Sequence, residues 1–177
     1  MRRRRAAPGD ADDLRRVYRE HVPAVFAFFG YAVSRETAED LTASTFERVI
    51  RAWSGYDAKR GPERTWVLAI ARNLLTDHYR RQSHRDTVST DQYPLLLDTL
   101  SSDDWIERRL THADLQGWLE QLGEREREIL ALRYGADLPA TEIAELTGLT
   151  AANVHQIVSR SLRKLRELAE QHAHSEL

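Results

Sequence analysis

Asn153, His155, Gln156 and Ser159, followed by Arg160, Arg163 and Lys164, are the densest group of side chains with a chemical use. None is a nucleophile placed beside a base. Asn and Gln can each pair with adenine through two hydrogen bonds, and Arg and Lys suit phosphate oxygens. The chemistry they offer is recognition of nucleic acid, not bond breaking. A second group is strung over Tyr56, Asp57, Lys59, Arg60, Arg64, Trp66, Arg72, Asn73, Tyr79, Arg80 and Arg81. Here arginines could take phosphates while an aromatic or a pocket takes an unstacked base. A solvated helix face ending in positive charge, which also suits the helix dipole, explains the same residues equally well.

The first group needs a helix to carry it. From Thr141 to Arg166 the chain reads TEIAELTGLTAANVHQIVSRSLRKLR. A short helical pattern (Ile143, Ala144, Leu146) runs into Thr147-Gly148-Leu149. A longer one follows, with Val154, Ile157, Val158, Leu162 and Leu165 on one face. Gly148 suits a left-handed helix end, and Thr150 suits the next N-cap. The pair predicts a helix-turn-helix whose second helix presents Thr150, Ala151, Ala152, Asn153, His155, Gln156 and Ser159 to the major groove. An ordinary helical hairpin in a bundle is the plainer reading.

The second group needs a loop and a helix. Ser54 to Arg64 has two glycines, a proline and alternating charge. Gly61-Pro62 predicts a helix start, and a helix from Pro62 to about Arg81 places Val67, Ile70, Ala71, Leu74, Leu75 and His78 inside. Upstream, Leu14, Val17, Tyr18, His21, Val22, Val25, Phe26, Phe28 and Phe29 predict a broadly buried helix from about Asp10, with His21 a core or boundary histidine rather than a ligand. Ser34 and Thr37 are rival N-caps of a second helix carrying Ala38, Leu41, Thr45, Phe46, Val49, Ile50 and Trp53. Downstream, a helix from Asp104 to about Leu122 closes at Gly123, and another follows from Glu124 to about Tyr134. The tail at 170–177 is expected to fray.

Charge divides the chain. Residues 1–85 hold 17 Lys/Arg and 11 Asp/Glu, a net of +6; residues 86–177 hold 9 and 17, a net of −8. Such asymmetry points to halves with different partners. Asp86, Asp91, Asp98, Asp103 and Asp104, with no base among them, mark 86–104 as an acidic flexible linker. The expected class is therefore all-α: helical domains at 10–85 and 105–172, joined by that linker. Arg2 to Arg5 read as a basic arm with weak attraction to nucleic acid, or as a mere start-site extension. The absence of cysteine excludes disulfides and cysteine-zinc sites. No apolar run approaches the ~20 residues of a membrane span, and no apolar segment follows the basic start as in a secretory signal. The expectation is a cytoplasmic protein without membrane insertion. The seven histidines are scattered, so no metal, cofactor or catalytic residue is assigned.

With these residues laid out, the chain resembles the sigma subunits of bacterial RNA polymerase, in particular the small two-domain sigma factors of the extracytoplasmic-function type. The resemblance runs from about Leu14 to Leu168. Ala38-Glu39-Asp40-Leu41 with Thr45-Phe46 is similar to the family's polymerase-binding helix. Thr65-Trp66, Ala69 to Leu74 and Asp77 to Arg81 are similar to its promoter-melting helix. Leu122, Arg125 to Glu128 and the helix-turn-helix are similar to its second domain. The resemblance implies that 10–85 is a sigma region 2 and 105–172 a sigma region 4. Core polymerase would be bound by Glu39, Asp40, Leu41, Phe46, Glu47 and Arg48. The minus-ten element would be recognised and melted at Tyr56, Asp57, Lys59, Arg60, Arg64, Trp66, Arg72, Asn73, Tyr79, Arg80 and Arg81, with the loop trapping a flipped base. The minus-thirty-five element would be read through residues 150–164, including Arg160, Arg163 and Lys164. The linker would thread the RNA exit path, and an anti-sigma factor is an implied partner beside core polymerase and promoter DNA. Two departures stand out. Ala43 and Ser44 replace the Gln and acid usual before the Thr/Val-Phe pair, which weakens the docking surface or shifts it toward Asp40 and Glu47. His155 and Ile157, flanking Gln156, replace basic residues, which weakens phosphate attraction and lowers the salt slope by roughly one unit per contact.

Two other functions compete with an initiation factor. GEREREILALRYGADLPATEIAELTGLT also resembles the DNA-binding domain of response-regulator-type activators, hence a stand-alone regulator. Residues 10–85 lack the strand alternation of the sensory domain such proteins carry. A helical adaptor of polymerase that does not touch DNA is the third reading. In none of the three is the chain an enzyme.

Overall fold

A computed structural model describes residues 11–82 and 117–175, and side chains as far as 172. The basic arm, the acidic linker and the expected helix over 104–116 lie outside the described residues. Those described are helices and turns, with no strand among them.

Helix α1 (Ala11–Gly30) begins with Asp12 and Asp13 at its positive end. It buries Val17, Val25, Phe28 and Phe29 completely. Each such side chain contributes about 1.5–3 kcal/mol by leaving water. The chain then turns through Tyr31, Ala32 and Val33, all buried. Helix α2 (Arg35–Ala52) starts at Ser34, whose Oγ accepts the Thr37 N–H at 3.3 Å. That settles the two rival caps: Thr37 lies inside the helix, where its Oγ accepts from Ser34 Oγ at 2.9 Å. The buried face of α2 is Ala38, Thr42, Thr45, Phe46 and Val49. Ile50, one of the apolar residues of this helix, is 57% exposed. A short 3-10 turn (Trp53–Gly55) leads to the glycine-proline loop, and α3 (Glu63–Gln82) follows. It buries Val67, Leu68, Ala71, Leu74, Leu75 and Tyr79 against α1 and α2.

In the second half, residues 117–120 are helical, and Trp118, Leu119 and Leu122 are buried. Gly123 opens the next helix as well as ending that one: its N–H donates to Glu126 Oε2 at 2.9 Å. Helix α4 (Glu124–Leu130) widens into a π turn over Ala131–Gly135, closed by Ala136 N–H to Ala131 O at 2.9 Å. Asp137 takes the left-handed conformation (φ 46°) before Pro139. Helix α5 (Ala140–Thr147) ends at Gly148, with φ 71° and ψ 16°. Helix α6 (Ala151–Ser175) is capped by Thr150, whose Oγ accepts the Asn153 N–H at 3.2 Å. The expected fraying from 170 is not seen. Helix α6 runs on to Ser175, and the His172 ring lies edge-on to Trp118 at 6.0 Å.

The two halves share one hydrophobic core. The π turn rests on α1 so closely that a Cβ on Gly135 would lie 2.7 Å from Ala27 O and 3.0 Å from Phe28 Cα. Only a residue without a side chain permits that approach.

Candidate nucleic-acid interface

The helix-turn-helix places its polar residues on one side of α6. Val154, Ser161, Leu165 and Ala169 are buried against α4 and α5. Thr150, Ala152, Asn153, His155, Gln156, Ser159, Arg160, Arg163 and Lys164 are exposed, and Ala151 is half-buried. The amide side chains of Asn153 and Gln156 thus share the first two turns with Ser159, and the cations lie further along. Lys164 is tied back by Nζ donating to Gln121 O. His155 borders a cavity of about 480 Å³ walled by Arg133, Asp137, Pro139, Ala140 and Thr141. Sequence reasoning passed over Arg133 and Thr141. Thr141 sits at the start of α5 with nothing in its local pattern to mark it.

The loop before α3 is built on stacked aromatics. Tyr56 lies parallel to Trp53 (5.3 Å between centroids, 16° between planes), and Trp66 leans on both at 6.0 and 5.1 Å. The Tyr56 hydroxyl donates to Gly61 O at 3.2 Å, so the ring staples both ends of the loop. Asp57 shapes the tip, its Oδ1 accepting the Lys59 N–H at 2.9 Å and its carbonyl the Arg60 N–H at 2.9 Å. Asp57, Lys59 and Arg60 are exposed. Tyr56, Asp57, Arg60, Thr65, Trp66 and Ala69 border a cavity of about 540 Å³, and Glu145 and Leu146 of α5 complete its wall.

Along α3, Asn73, Arg80 and Arg81 are exposed and Trp66 is half-buried. Tyr79 is corrected: it is 6% exposed, and its hydroxyl donates to Ala32 O at 3.0 Å, so it braces α3 against the turn after α1. Arg64 and Arg72 are held by the other half. Arg64 Nη2 donates to Ala136 O, and Arg72 Nε to Glu128 Oε1 at 2.5 Å. His78, half-buried, is held below its ordinary pKa by burial and then by the charges of Arg81 and Arg127.

The start of α3 is fixed by Glu63. Its carboxylate accepts from Arg16 at 3.0 and 2.7 Å and lies 2.8 Å from His21 Nε2. Burial pushes this carboxyl up, but the bonds and charges of Arg16 and His21 hold it below the usual value. Glu20, His21 and Glu63 bring three ligand atoms within 4.8 Å. Arg16 already fills that space with charge, bonding both Glu63 and Glu20.

The outer face of α2 carries the third group. Glu39 pairs with Arg35 at 3.0 Å, Glu47 with Arg51 at 3.4 Å and Arg48 with Asp77 at 3.8 Å, all largely in solvent. Asp40 is exposed and Leu41 half-buried. Phe46, expected on this face, is 4% exposed beneath Tyr18, whose ring meets it edge-on at 4.8 Å. Tyr18 itself is 51% exposed. The apolar surface here is therefore Tyr18 and Ile50, both of which helical periodicity assigns inside.

Among the described residues no helix is long and apolar enough to cross a membrane. The family model for Sigma-70 region 2 matches residues 17–85, and that for Sigma-70, region 4 matches 118–167. The chain is 31% identical to the ECF RNA polymerase sigma factor ShbA of Streptomyces griseus, over 78% of this chain and 74% of ShbA. It is 30% identical to the ECF RNA polymerase sigma factor BldN of Streptomyces coelicolor, over 93% of this chain but only 63% of BldN. The fold is similar to that of the sigma factor RpoE solved with the anti-sigma factor NepR from Bartonella quintana. The TM-score is 0.70 at 19% identity, covering 90% of this chain and 98% of that one.

Proposed function

Because the chain belongs to the extracytoplasmic-function sigma factors of bacterial RNA polymerase, we propose that it directs initiation at promoters with two elements, reading duplex at the minus-thirty-five element and holding the opened strand at the minus-ten element. The observation that carries this reading is the exposed polar face of α6, with Asn153 and Gln156 in its N-terminal turns. Helix α6 enters the major groove with Asn153, Gln156 and Ser159 toward base edges, while Arg160 and Arg163 approach phosphates. A well-placed amide pair contributes about 1–3 kcal/mol of discrimination against a wrong base. The loop at 56–61 and its aromatic wall accept an unstacked base, and Arg60, Arg80 and Arg81 draw the strand along α3. Core polymerase docks on the outer face of α2, through Glu39, Asp40, Glu47 and Arg48 around the apolar pair Tyr18 and Ile50. The chain supplies binding energy for strand separation and carries out no bond chemistry. By analogy with the RpoE complex, an anti-sigma factor is a further partner.

Purified chain is mixed with core polymerase and fragmented genomic DNA, and the transcripts are sequenced. Discrete starts that share two upstream motifs, absent without the chain, are expected. Gln156→Ala should relax choice at the upstream motif and leave the downstream one intact. Unchanged promoter choice in that variant would remove Gln156 from base reading. Failure to initiate despite co-elution with core would favour the adaptor.

A further inference from the structure

Resting on the polymerase reading, we propose that upstream recognition is coupled to a proton: the imidazolium form of His155, together with Arg133, takes a backbone phosphate of the minus-thirty-five duplex, and the neutral ring releases it. In a helix-turn-helix the second helix reads base edges while the first crosses the sugar-phosphate backbone. The cavity of about 480 Å³ lies at that crossing. Ala140 and Thr141, at the start of α5, form one wall, and His155, on the second turn of α6, forms another. Arg133 is already set in place there. Its Nη1 donates to Leu138 O at 3.2 Å, and its guanidinium lies 5.8 Å from the centre of the Tyr134 ring. Asp137 opposes it, with a carboxylate oxygen 3.9 Å from Arg133 Nη1, a left-handed backbone (φ 46°) and a side chain 89% exposed. A pair so long and so wet contributes little energy, yet its charges cancel. Among the described residues bordering the cavity, Arg133 and Asp137 are the charged groups beside His155; Pro139, Ala140 and Thr141 bring none. The neighbouring turns of α6 offer Ala151, Ala152, Val158 and Ser159, none of them charged. The wall is therefore electrically balanced while the imidazole is neutral, and it becomes net positive only with the proton. Histidine is the side chain whose charge changes between pH 5 and 8. The His155 ring is exposed, and no described residue bonds it. A phosphate beside the ring favours its protonated form, so duplex binding draws up to one proton from water. Lysine or arginine here would make the contact at every pH; histidine makes it conditional. Asn153 and Gln156 keep their base edges, so sequence choice and proton response are separable.

The test uses holoenzyme assembled with core polymerase and a fluorescent duplex of a promoter identified by transcript sequencing, kept cold so that the strands stay paired. Anisotropy follows binding at pH 6 and pH 8 over a range of salt. Wild type should bind about 5–10-fold tighter at pH 6 in about 0.1 M salt, the effect of one added phosphate contact, and its salt slope should steepen by about one unit. His155→Gln should bind weakly at both pH values, and His155→Arg tightly at both. Asp137→Asn, whose new side chain tolerates the left-handed backbone, should tighten binding at pH 8 and keep the proton response. Core polymerase and the rest of the chain titrate as well, so wild type is read against His155→Gln at each pH, with circular dichroism checking that both keep their helix content. Replacing the phosphates of the upstream element one at a time by neutral methylphosphonates should abolish the proton response at one linkage. Equal pH dependence in wild type and His155→Gln overturns the proposal, and so does a response that follows a base change but no phosphate. A chain that yields no transcripts with core polymerase removes the polymerase reading instead. The same titration is then read on the free chain with mixed-sequence duplex, where phosphate contacts persist, under the same criteria.

Discussion

Replacing Glu63 by Gln removes one charge from the junction of α1 and α3 while nearly preserving shape. In the native chain the carboxylate takes two bonds from Arg16 and a third contact from His21, with its side chain only 17% exposed. Hydrogen bonds to charged groups are worth about 1.5–3 kcal/mol net. Here Arg16 is 39% exposed and can still use Glu20 and Asp13, so solvent screening moves the value toward the low end. Gln keeps one acceptor oxygen, and the expected cost at pH 7 is about 1–2 kcal/mol. The pH dependence follows from the direction of the shift. Burial alone would raise this carboxyl, but Arg16 and His21 outweigh it, and the folded value lies below the ordinary 4.5. The stabilisation is then complete above about 4.5 and is lost as pH falls through the folded value. Urea titrations of both proteins at pH 7, 5 and 3 should show a gap that persists at 5 and closes toward 3. A gap that stays the same at pH 3 would place the cost in packing rather than charge. A gap under ~0.5 kcal/mol at pH 7, the range of an ordinary surface change, would refute the reasoning altogether.

Other consequences can be read with the same methods. His78 has a lowered pKa, so the unfolded chain binds its proton more readily, and acidification from about pH 7 through the folded value destabilises the protein. His78→Gln should flatten that part of the stability profile, and an unchanged slope between pH 7 and 5 would exonerate His78. Gly148→Ala meets no neighbour within 4 Å, so its cost is the left-handed backbone alone, about 1–2 kcal/mol. Thermal denaturation should show Gly148→Asn recovering part of the loss, since Asn tolerates that conformation; equal losses for both would point to a contact instead.

Helical periodicity and capping chemistry carried much of the fold. Gly148 and Thr150 located the turn of the helix-turn-helix because each has one favoured backbone role there. Ser34 and Thr37 could not be separated, since both are good caps followed by helix-forming residues, and only the geometry decides. Tyr79 was misplaced because Asn73, Arg80 and Arg81 made its surroundings look polar. Its spacing of four from Leu75 places it on the buried face, and that signal was present in the chain. Exposure of Tyr18 and Ile50 had no such signal, since periodicity assigns apolar residues inward whether or not another helix arrives to cover them. The cations of α3 divide by the same limit. Arg80 and Arg81 are exposed as their composition suggests, whereas Arg72 meets Glu128, 56 positions away. Pairing at that separation depends on how the halves meet. The π turn is equally silent, its one trace being a glycine at position 135.

The aromatic wall of the loop also gives the molecule an optical reporter. Of the four tryptophans, Trp53 and Trp66 belong to the stacked cluster with Tyr56, and Trp66 borders the cavity. A base entering there would stack on or displace these rings. Their emission therefore responds to events at this loop on the timescale of the events themselves, without any attached label. Trp118, buried in the other half beside His172, sits apart from that change and supplies an internal reference. Stopped-flow fluorescence of the unmodified chain can thus time strand capture directly.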